Sequence, residues 1–369
     1  MSVDRRVLVV TGIYPPDIGG PATYVPQLCA QLHKSGYKVH VVSLTENTNQ
    51  KRLSEPWERT FISRNYWKPL RVFKTILVLF KHSQGTQAIF SNGLYEEVGI
   101  LSLFMKRKRI VAKIVGDPVW ERFKNSSGSA IDIESFNKQP LSRKYALQRG
   151  ILKWSLNRFT EVSCPSDQLQ ELIHSWGVTK RVTVIKNGIQ CHSITPLKPK
   201  YDIITVSRLV SWKNLDKLIL AIANRDLTLA ICGEGPEKSN LQLLASKNKS
   251  NVKFLGQLTG SDLDTAINES QVFALISSYE GLSFALLEAM MSGKKILVSN
   301  ARGNTDVIRN NQNGIIVDPM NLEQITSALD TLLKHDNPGK SFSRAAHEDA
   351  IQLYCAEAQI NKMIDLLAS

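Results

Sequence analysis

Two glutamates, Glu280 and Glu288, bracket a turn in the segment Ser277-Ser278-Tyr279-Glu280-Gly281-Leu282-Ser283-Phe284-Ala285-Leu286-Leu287-Glu288, which follows the apolar run Val272 to Ile276. The pattern predicts a strand, a turn and a short helix opening near Ser283. The first backbone N–H groups of a helix have no partner within it, and the helix dipole adds partial positive charge there, so this turn suits a phosphate. Glu280 precedes the helix start and Glu288 lies about one turn inside it. One carboxylate can therefore accept hydrogen bonds from sugar hydroxyls, the other from a ribose diol. Glutamate is also an ordinary helix former that the dipole favours near a helix start, so the pair needs support from elsewhere in the chain.

That support comes from other strand ends. Arg208 and Lys213 lie in one turn, Ser207 to Asn214, after the apolar run Asp202 to Val206. Two cations there can stabilise the charge that builds on a departing diphosphate, and no metal-binding motif is present to do so instead. The next strand ends in Gly233-Glu234-Gly235-Pro236, glycines that either admit a ligand to the backbone or simply make a turn. Near the N-terminus, Gly19 and Gly20 precede a helix and leave its start open to an anion or a sugar. Asp117 ends another strand before Pro118, where it either faces a ligand or begins a turn.

Several other chemistries are disfavoured. The five cysteines are scattered, the seven histidines form no helical i, i+4 pair, and there is no dinucleotide glycine fingerprint, Walker loop or Gly-x-Ser-x-Gly elbow. The cysteines fit a reducing cytosol. No apolar run reaches the roughly 20 residues a membrane span needs, and the first residues do not read as a signal peptide.

Short apolar strands alternate with helices throughout the chain, which predicts α/β architecture in two doubly wound domains with a cleft between them. In the first half the strands are expected at Val7 to Thr11, Val39 to Ser43, Ala88 to Ser91, Val111 to Val115, Val162 to Cys164 and Val182 to Ile185. A helix is expected from Pro21 to Ser35, and the Ser- and Asn-rich stretch from Lys124 to Gln139 reads as a mobile loop. The second series begins after the two-proline segment Thr195 to Pro199. This sets domains at 1–195 and 196–340, with a final helical segment at 341–369.

The charge follows the same division. Residues 1–195 carry 28 Lys and Arg against 14 Asp and Glu, whereas residues 196–369 carry 18 against 19, so the whole net charge of +13 resides in the first half. Such a field attracts anionic partners. In Tyr66 to Lys81, cations at 68, 71, 74 and 81 recur among aromatic and aliphatic residues at near-helical spacing, as on a membrane-surface helix, although a helix with one wet basic side has the same spacing. No nucleic-acid module accompanies the charge.

Taken in order, Gly19-Gly20-Pro21, Asn187-Gly188-Ile189, Arg208 with Lys213, Gly233-Glu234-Gly235-Pro236 and Glu280 through Glu288 resemble the family 4 retaining glycosyltransferases over nearly the whole chain. The resemblance implies the GT-B fold, with two Rossmann-like domains: an N-terminal acceptor domain and a C-terminal nucleotide-sugar domain, and a last helix crossing back to the first. Position by position, it implies that Gly19 and Gly20 contact donor phosphate or sugar and that Arg208 and Lys213 grip the diphosphate. Glu280 would bind the transferred sugar, the backbone of Gly281, Leu282, Ser283 and Phe284 would hold sugar and phosphate, and Glu288 would bind the ribose; Gly233, Glu234 and Gly235 complete the donor set. Asp117 stands where many members have His-Asp, with Gly116 in place of the histidine. Gln190 replaces a common aspartate, and Arg302 to Asp306 replaces a glycine pair and Pro-Glu.

The expected partners are a nucleotide-diphosphate sugar, a glycan or polyprenyl-diphosphate-linked acceptor and an anionic membrane met peripherally at its cytoplasmic face; no nucleic acid, metal or other cofactor is expected. A nucleotide-sugar epimerase and a non-catalytic binder of sugar nucleotides or anionic lipids would draw on the same residues.

Overall fold

A computed structural model of the chain describes residues 5–17, 19–46, 55–105, 108–127, 131, 133–191, 194, 197–334 and 339–369. Contacts divide it into two units: residues 1–123, 137–188 and 356–369 form the first, and residues 124–136 and 189–355 the second.

In the first unit the elements are β1 (Arg6–Thr11), α1 (Gly20–Lys34), β2 (Lys38–Thr45), β3 (Glu58–Ser63), α2 (Lys68–Ser83), β4 (Ala88–Asn92), α3 (Tyr95–Leu101), β5 (Arg109–Lys113), α4 (Pro118–Ser127), α5 (Ile133–Lys138), α6 (Arg143–Arg158), β6 (Glu161–Cys164), α7 (Asp167–Ser175) and β7 (Val182–Val184). The end of α4, from residue 124, and the start of α5 cluster with the second unit. Among the described residues seven strands run parallel in the order β3-β2-β1-β4-β5-β6-β7.

Two expectations are corrected here. β3 is an additional strand that the sequence reading did not contain. It is an edge strand with one fully buried position, Ile62, so its polar run Glu58-Arg59-Thr60 hides the period. The Lys124 to Gln139 stretch, expected as a mobile loop, carries the end of α4 and all of α5, because Ile133 and Phe136 supply a buried helical face. Residues 128–130 and 132 of that stretch lie outside the described residues.

In the second unit follow β8 (Tyr201–Val206), a 3-10 turn (Ser211–Lys213), α8 (Leu215–Ala221), β9 (Thr228–Cys232), α9 (Lys238–Lys247), β10 (Asn251–Gly256), α10 (Ser261–Asn268), β11 (Ser270–Leu275), α11 (Phe284–Met291), β12 (Lys295–Ser299), α12 (Arg302–Thr305), β13 (Ile315–Val317), α13 (Leu322–Leu333) and α14 (Gly339–Leu353). Its six strands among the described residues are also parallel, in the order β10-β9-β8-β11-β12-β13. Both faces of this sheet are covered by apolar clusters, as an all-parallel sheet requires.

The last helix, α15 (Ala356–Ala368), belongs to the first unit, where it packs on α1, β4 and β5. The returning helix expected within 341–369 is therefore α15 alone; α14 stays with the second unit and packs on α11 and β12. The division between units also falls earlier than the proline segment, at Gly188 and Ile189, where Ile189 N–H donates to Tyr354 O at 2.9 Å. Thr195 and Pro196 of that segment lie outside the described residues.

Strand order reverses direction between β1 and β4 in the first sheet and between β8 and β11 in the second. At such a switch the connections leave to opposite sides and open a crevice beyond the carboxyl ends of the strands. The turns after β1, β4, β8 and β11 are therefore the places the topology reserves for ligands.

Candidate active site

In the second unit the turns after β8 and β11 flank the switch point and are bound to each other. Trp212 O accepts the Ser278 N–H at 2.8 Å. Asn214, held at φ 50°, donates from Nδ2 to Ile276 O at 2.8 Å and to Ser278 Oγ at 2.9 Å. This clamp brings Lys213 Nζ to 2.5 Å from Glu280 Oε1, and Ser277 Oγ donates to the same oxygen at 2.6 Å. Both side chains of the ion pair are about nine-tenths buried, at 12% and 10% exposure. Sequence reasoning found both residues but gave them separate tasks; the structure joins them. An ammonium and a carboxylate in one small polar cluster can face a phosphate and a sugar hydroxyl together.

Arg208 shares the turn. It is exposed, with its guanidinium 5.7 Å from the Trp212 ring centroid. Beside it, Gly233 at φ 140° lies so close to the β8 turn that a Cβ would stand 1.9 Å from Ser207 O. Gly235 lies equally tight on Leu209, where a Cβ would meet its carbonyl oxygen at 2.3 Å. These glycines let two backbone turns touch, tied by Ser207 N–H to Cys232 O at 3.0 Å and Leu209 N–H to Glu234 O at 2.9 Å. Their first duty is thus to position the Arg208 turn. Glu234 itself pairs with Lys238 at 2.7 Å.

The helix expected near Ser283 is α11. Ser283 is its N-cap, accepting from Leu286 N–H at 3.3 Å, so its hydroxyl is engaged by its own helix. Leu282 turns into the core, as do Leu286, Leu287, Met290 and Met291. At about 1.5–3 kcal/mol for each large apolar side chain buried, this face fixes the helix start firmly. The backbone from Gly281 to Phe284 is what remains to meet a ligand. Glu288, partly buried on α11, has its carboxyl pushed up to about 7, first by burial and then by the nearby Asp264 charge.

One part of the site escaped sequence reasoning. Gly303 backs onto the Glu280 turn, where a Cβ would stand 2.4 Å from both Glu280 O and Gly281 O. The fully buried Asn304 donates to Ser299 Oγ at 3.0 Å, and Ser299 Oγ donates to Ser277 O at 2.6 Å. The chain around them was noticed only as a departure from the resembled pattern. The signal in the sequence is a Gly-Asn pair in the short segment after a strand.

In the first unit Gly19 is the N-cap of α1 at φ 151°, and a Cβ there would stand 2.8 Å from Ile13 Cδ1. Gly20 opens the helix; Ile18, in the same turn, lies outside the described residues. Arg64 steadies this turn through Asp17 at 2.6 Å and Gly12 O at 2.8 Å.

Asp117, expected among the catalytic residues, is held by protein donors. It is fully buried; Oδ1 accepts from Val119 and Trp120 N–H at 3.0 and 3.1 Å, and Oδ2 from Arg149 at 2.5 Å and Asn137 at 3.1 Å. With both oxygens engaged by protein donors, it caps α4 and anchors α6, which is the turn-starting alternative for an Asp-Pro pair.

Residues 18–193 match the family described as Glycosyltransferase Family 4, and residues 192–349 match Glycosyl transferases group 1. The chain belongs to the family 4 glycosyltransferases. It is similar to the GtfA subunit of a UDP-N-acetylglucosamine–peptide N-acetylglucosaminyltransferase from Streptococcus agalactiae, 36% identical over 140 residues, which are 35% of this chain and 27% of that one. The chain thus matches about a quarter of that relative's length. Among solved structures it is similar to sucrose-phosphate synthase from Thermosynechococcus elongatus, with TM-score 0.81, 17% identity and coverage of 99% and 98% of the two chains. It is also similar to Anabaena HepE in complex with UDP-glucose, with TM-score 0.78, 16% identity and coverage of 98% and 99%. The chain has the GT-B fold, with two Rossmann-like domains.

Proposed function

We propose that this glycosyltransferase moves a sugar from a nucleotide-diphosphate donor to a glycan or polyprenyl-diphosphate-linked acceptor with retention of anomeric configuration, in cell-surface polysaccharide biosynthesis. The observation that carries the reading is the Lys213, Glu280 and Ser277 cluster beside the start of α11. A donor diphosphate laid on that helix start meets the Lys213 ammonium, while Glu280 accepts from hydroxyls of the sugar. Arg208 is one turn away to neutralise the outer phosphate, and Glu288 takes the ribose. UDP-glucose in HepE and UDP-N-acetylglucosamine in the name of the Streptococcus relative support a UDP-sugar as the first donor to try.

The bond from the anomeric carbon to the diphosphate breaks with its electron pair passing to phosphate. The acceptor oxygen bonds on the same face and gives its proton to the leaving phosphate oxygen. No protein base is needed, and the developing charge falls on Lys213, Arg208 and the N–H groups opening α11, so no resident metal or cofactor is invoked. The basic first half of the chain supports a peripheral position on the cytoplasmic face of an anionic membrane.

Lys213→Ala should lower kcat by about 10² or more, the scale of losing one preorganised charge contact. The measurement is nucleoside diphosphate release over a panel of nucleotide sugars and acceptors, and turnover near that of the unsubstituted enzyme would overturn the assignment. Conversion of the donor without any acceptor would favour an epimerase, and donor binding with no turnover over the whole panel would favour a binding protein.

A further inference from the structure

α2 buries Thr75, Leu79 and Ser83 against its own unit, as an ordinary surface helix should. Its opposite side is also apolar. Leu70, Phe73, Leu77 and Phe80 recur at spacings of three and four, with exposures of 40%, 60%, 52% and 44%, and Trp67 stands 76% exposed at the N-cap. A helix that only covered a sheet would present polar residues there.

The stripe continues onto neighbouring elements. The Phe80 ring lies edge-on to Phe104, 6.3 Å between centroids, and Phe104 is 64% exposed in the turn after α3. α3 in turn touches α6: a Cβ on Gly99 would stand 2.4 Å from Ser155 Oγ, and Arg158 Nε donates to Ser102 Oγ at 2.8 Å. On α6, Leu147, Ile151 and Trp154 form a second exposed stripe at the same spacing. Apolar patches of this extent on one side of a soluble domain mark an interaction surface.

Charge identifies what covers it. α2 carries Lys68, Arg71, Lys74 and Lys81, α6 carries Arg143, Lys144, Arg149, Lys153 and Arg158, and neither helix contains an aspartate or glutamate. Arg149 is engaged with Asp117. α3, between them, has Glu96 and Glu97 in its first turn, with Glu96 paired to Arg122 at 3.0 Å. A second copy of this face would set cation against cation. An anionic lipid surface satisfies both features, since acyl chains receive the apolar stripe while lysines and arginines reach the headgroups. Trp67, Tyr66 and Trp154 are of the types favoured at the water–bilayer boundary.

We propose that α2, the Phe104 turn and α6 together form a face that inserts shallowly into the surface of an anionic bilayer. This deepens the peripheral-membrane reading given above by naming the surface and the mode, insertion rather than adsorption by charge alone; it does not depend on the transfer chemistry.

The experiment is co-sedimentation of the full chain with vesicles of phosphatidylcholine alone or with about one third phosphatidylglycerol, at low and high salt. The unsubstituted protein is expected to bind the anionic vesicles and to be released only in part when salt is raised afterwards. The exposed triple variant Leu70→Ser, Phe73→Ser, Leu77→Ser should bind about tenfold or more weakly and come off fully in salt. Its melting temperature and its thermal shift with nucleotide sugars should be unchanged, which separates loss of docking from misfolding and from failure of the donor reading. Lys68→Gln with Lys81→Gln should weaken binding and flatten its salt dependence. The proposal is overturned by absence of binding to anionic vesicles, by a triple variant that binds like the parent, by complete release of the parent in salt, or by a dimer in vesicle-free solution that the triple variant abolishes.

Discussion

Glu288 and Lys113 are two residues whose protonation is coupled to the fold, and they act in opposite directions. A carboxyl raised to about 7 from its ordinary 4.5 holds its proton longer in the folded chain than in the unfolded one. Folding stability from this group is therefore greatest below the unfolded value and declines as pH rises to about 7. Glu288→Gln should flatten melting temperature against pH between about 5 and 7. If the carboxylate binds ribose hydroxyls, donor affinity of the parent should rise over that same interval, and the variant should lose the rise; calorimetry with and without a nucleotide sugar measures both. Lys113 is buried at the end of β5, its Nζ 3.0 Å from Ile185 O and 4.3 Å from the Tyr24 ring centroid, and burial pulls it down to about 7 from 10.5. Here the unfolded chain binds more protons between the two values, so stability should increase with alkalinity from about pH 7 toward 10. Lys113→Met should remove that slope. At this scale the sequence displayed Glu280, Glu288, Lys213 and Arg208 because strand ends and turn residues locate them. It concealed the ion pair of Lys213 with Glu280 and the burial of Asp117, because both depend on contacts across 67 and 32 positions.

Between residue and domain, the turns are held by close backbone approach. Gly303→Ala should press on Glu280 O and Gly281 O and tilt the Glu280 turn, costing donor affinity while α11, seated on its apolar face, stays formed. A loss of about tenfold in affinity together with a lowered melting temperature is expected, because the two oxygens belong to backbone that must shift and preorganised contacts are sensitive to small displacements. Gly233→Ala meets both a positive φ and a carbonyl oxygen at 1.9 Å, so it should destabilise the second unit by about 2–4 kcal/mol, read from denaturant unfolding. Strands were the most legible elements. Val7 to Thr11 and Ala88 to Ser91 fall within one residue of β1 and β4, and the other expected strands of the first sheet differ by a residue or two at their ends. β3 was hidden because an edge strand does not need a continuous apolar run, and α5 because two buried side chains on a short helix are drowned by polar neighbours.

For the molecule as a whole, alternation of strand and helix was enough to predict two parallel, doubly wound sheets, and the charge asymmetry was plain in the sequence. The strand orders, and with them the two switch points that select which turns matter, required the structure. So did the route of the chain. The second unit runs through one main stretch, 189–355, whereas the first is completed only by α15. That helix buries Ile360, Met363, Ile364 and Leu367, and its Leu366 O accepts from Arg109 Nε at 2.5 Å. At about 1.5–3 kcal/mol for each of these apolar side chains, its loss rivals the whole stability of a typical domain. A chain ending at Cys355 should therefore show a protease-resistant core within 189–355 and rapid digestion of residues before 188. During synthesis the same connectivity imposes an order. The sheet that is begun first must wait, incomplete and with its α15 site open to water, until the other domain has been made, so a nascent chain paused near residue 355 is a natural client for a chaperone.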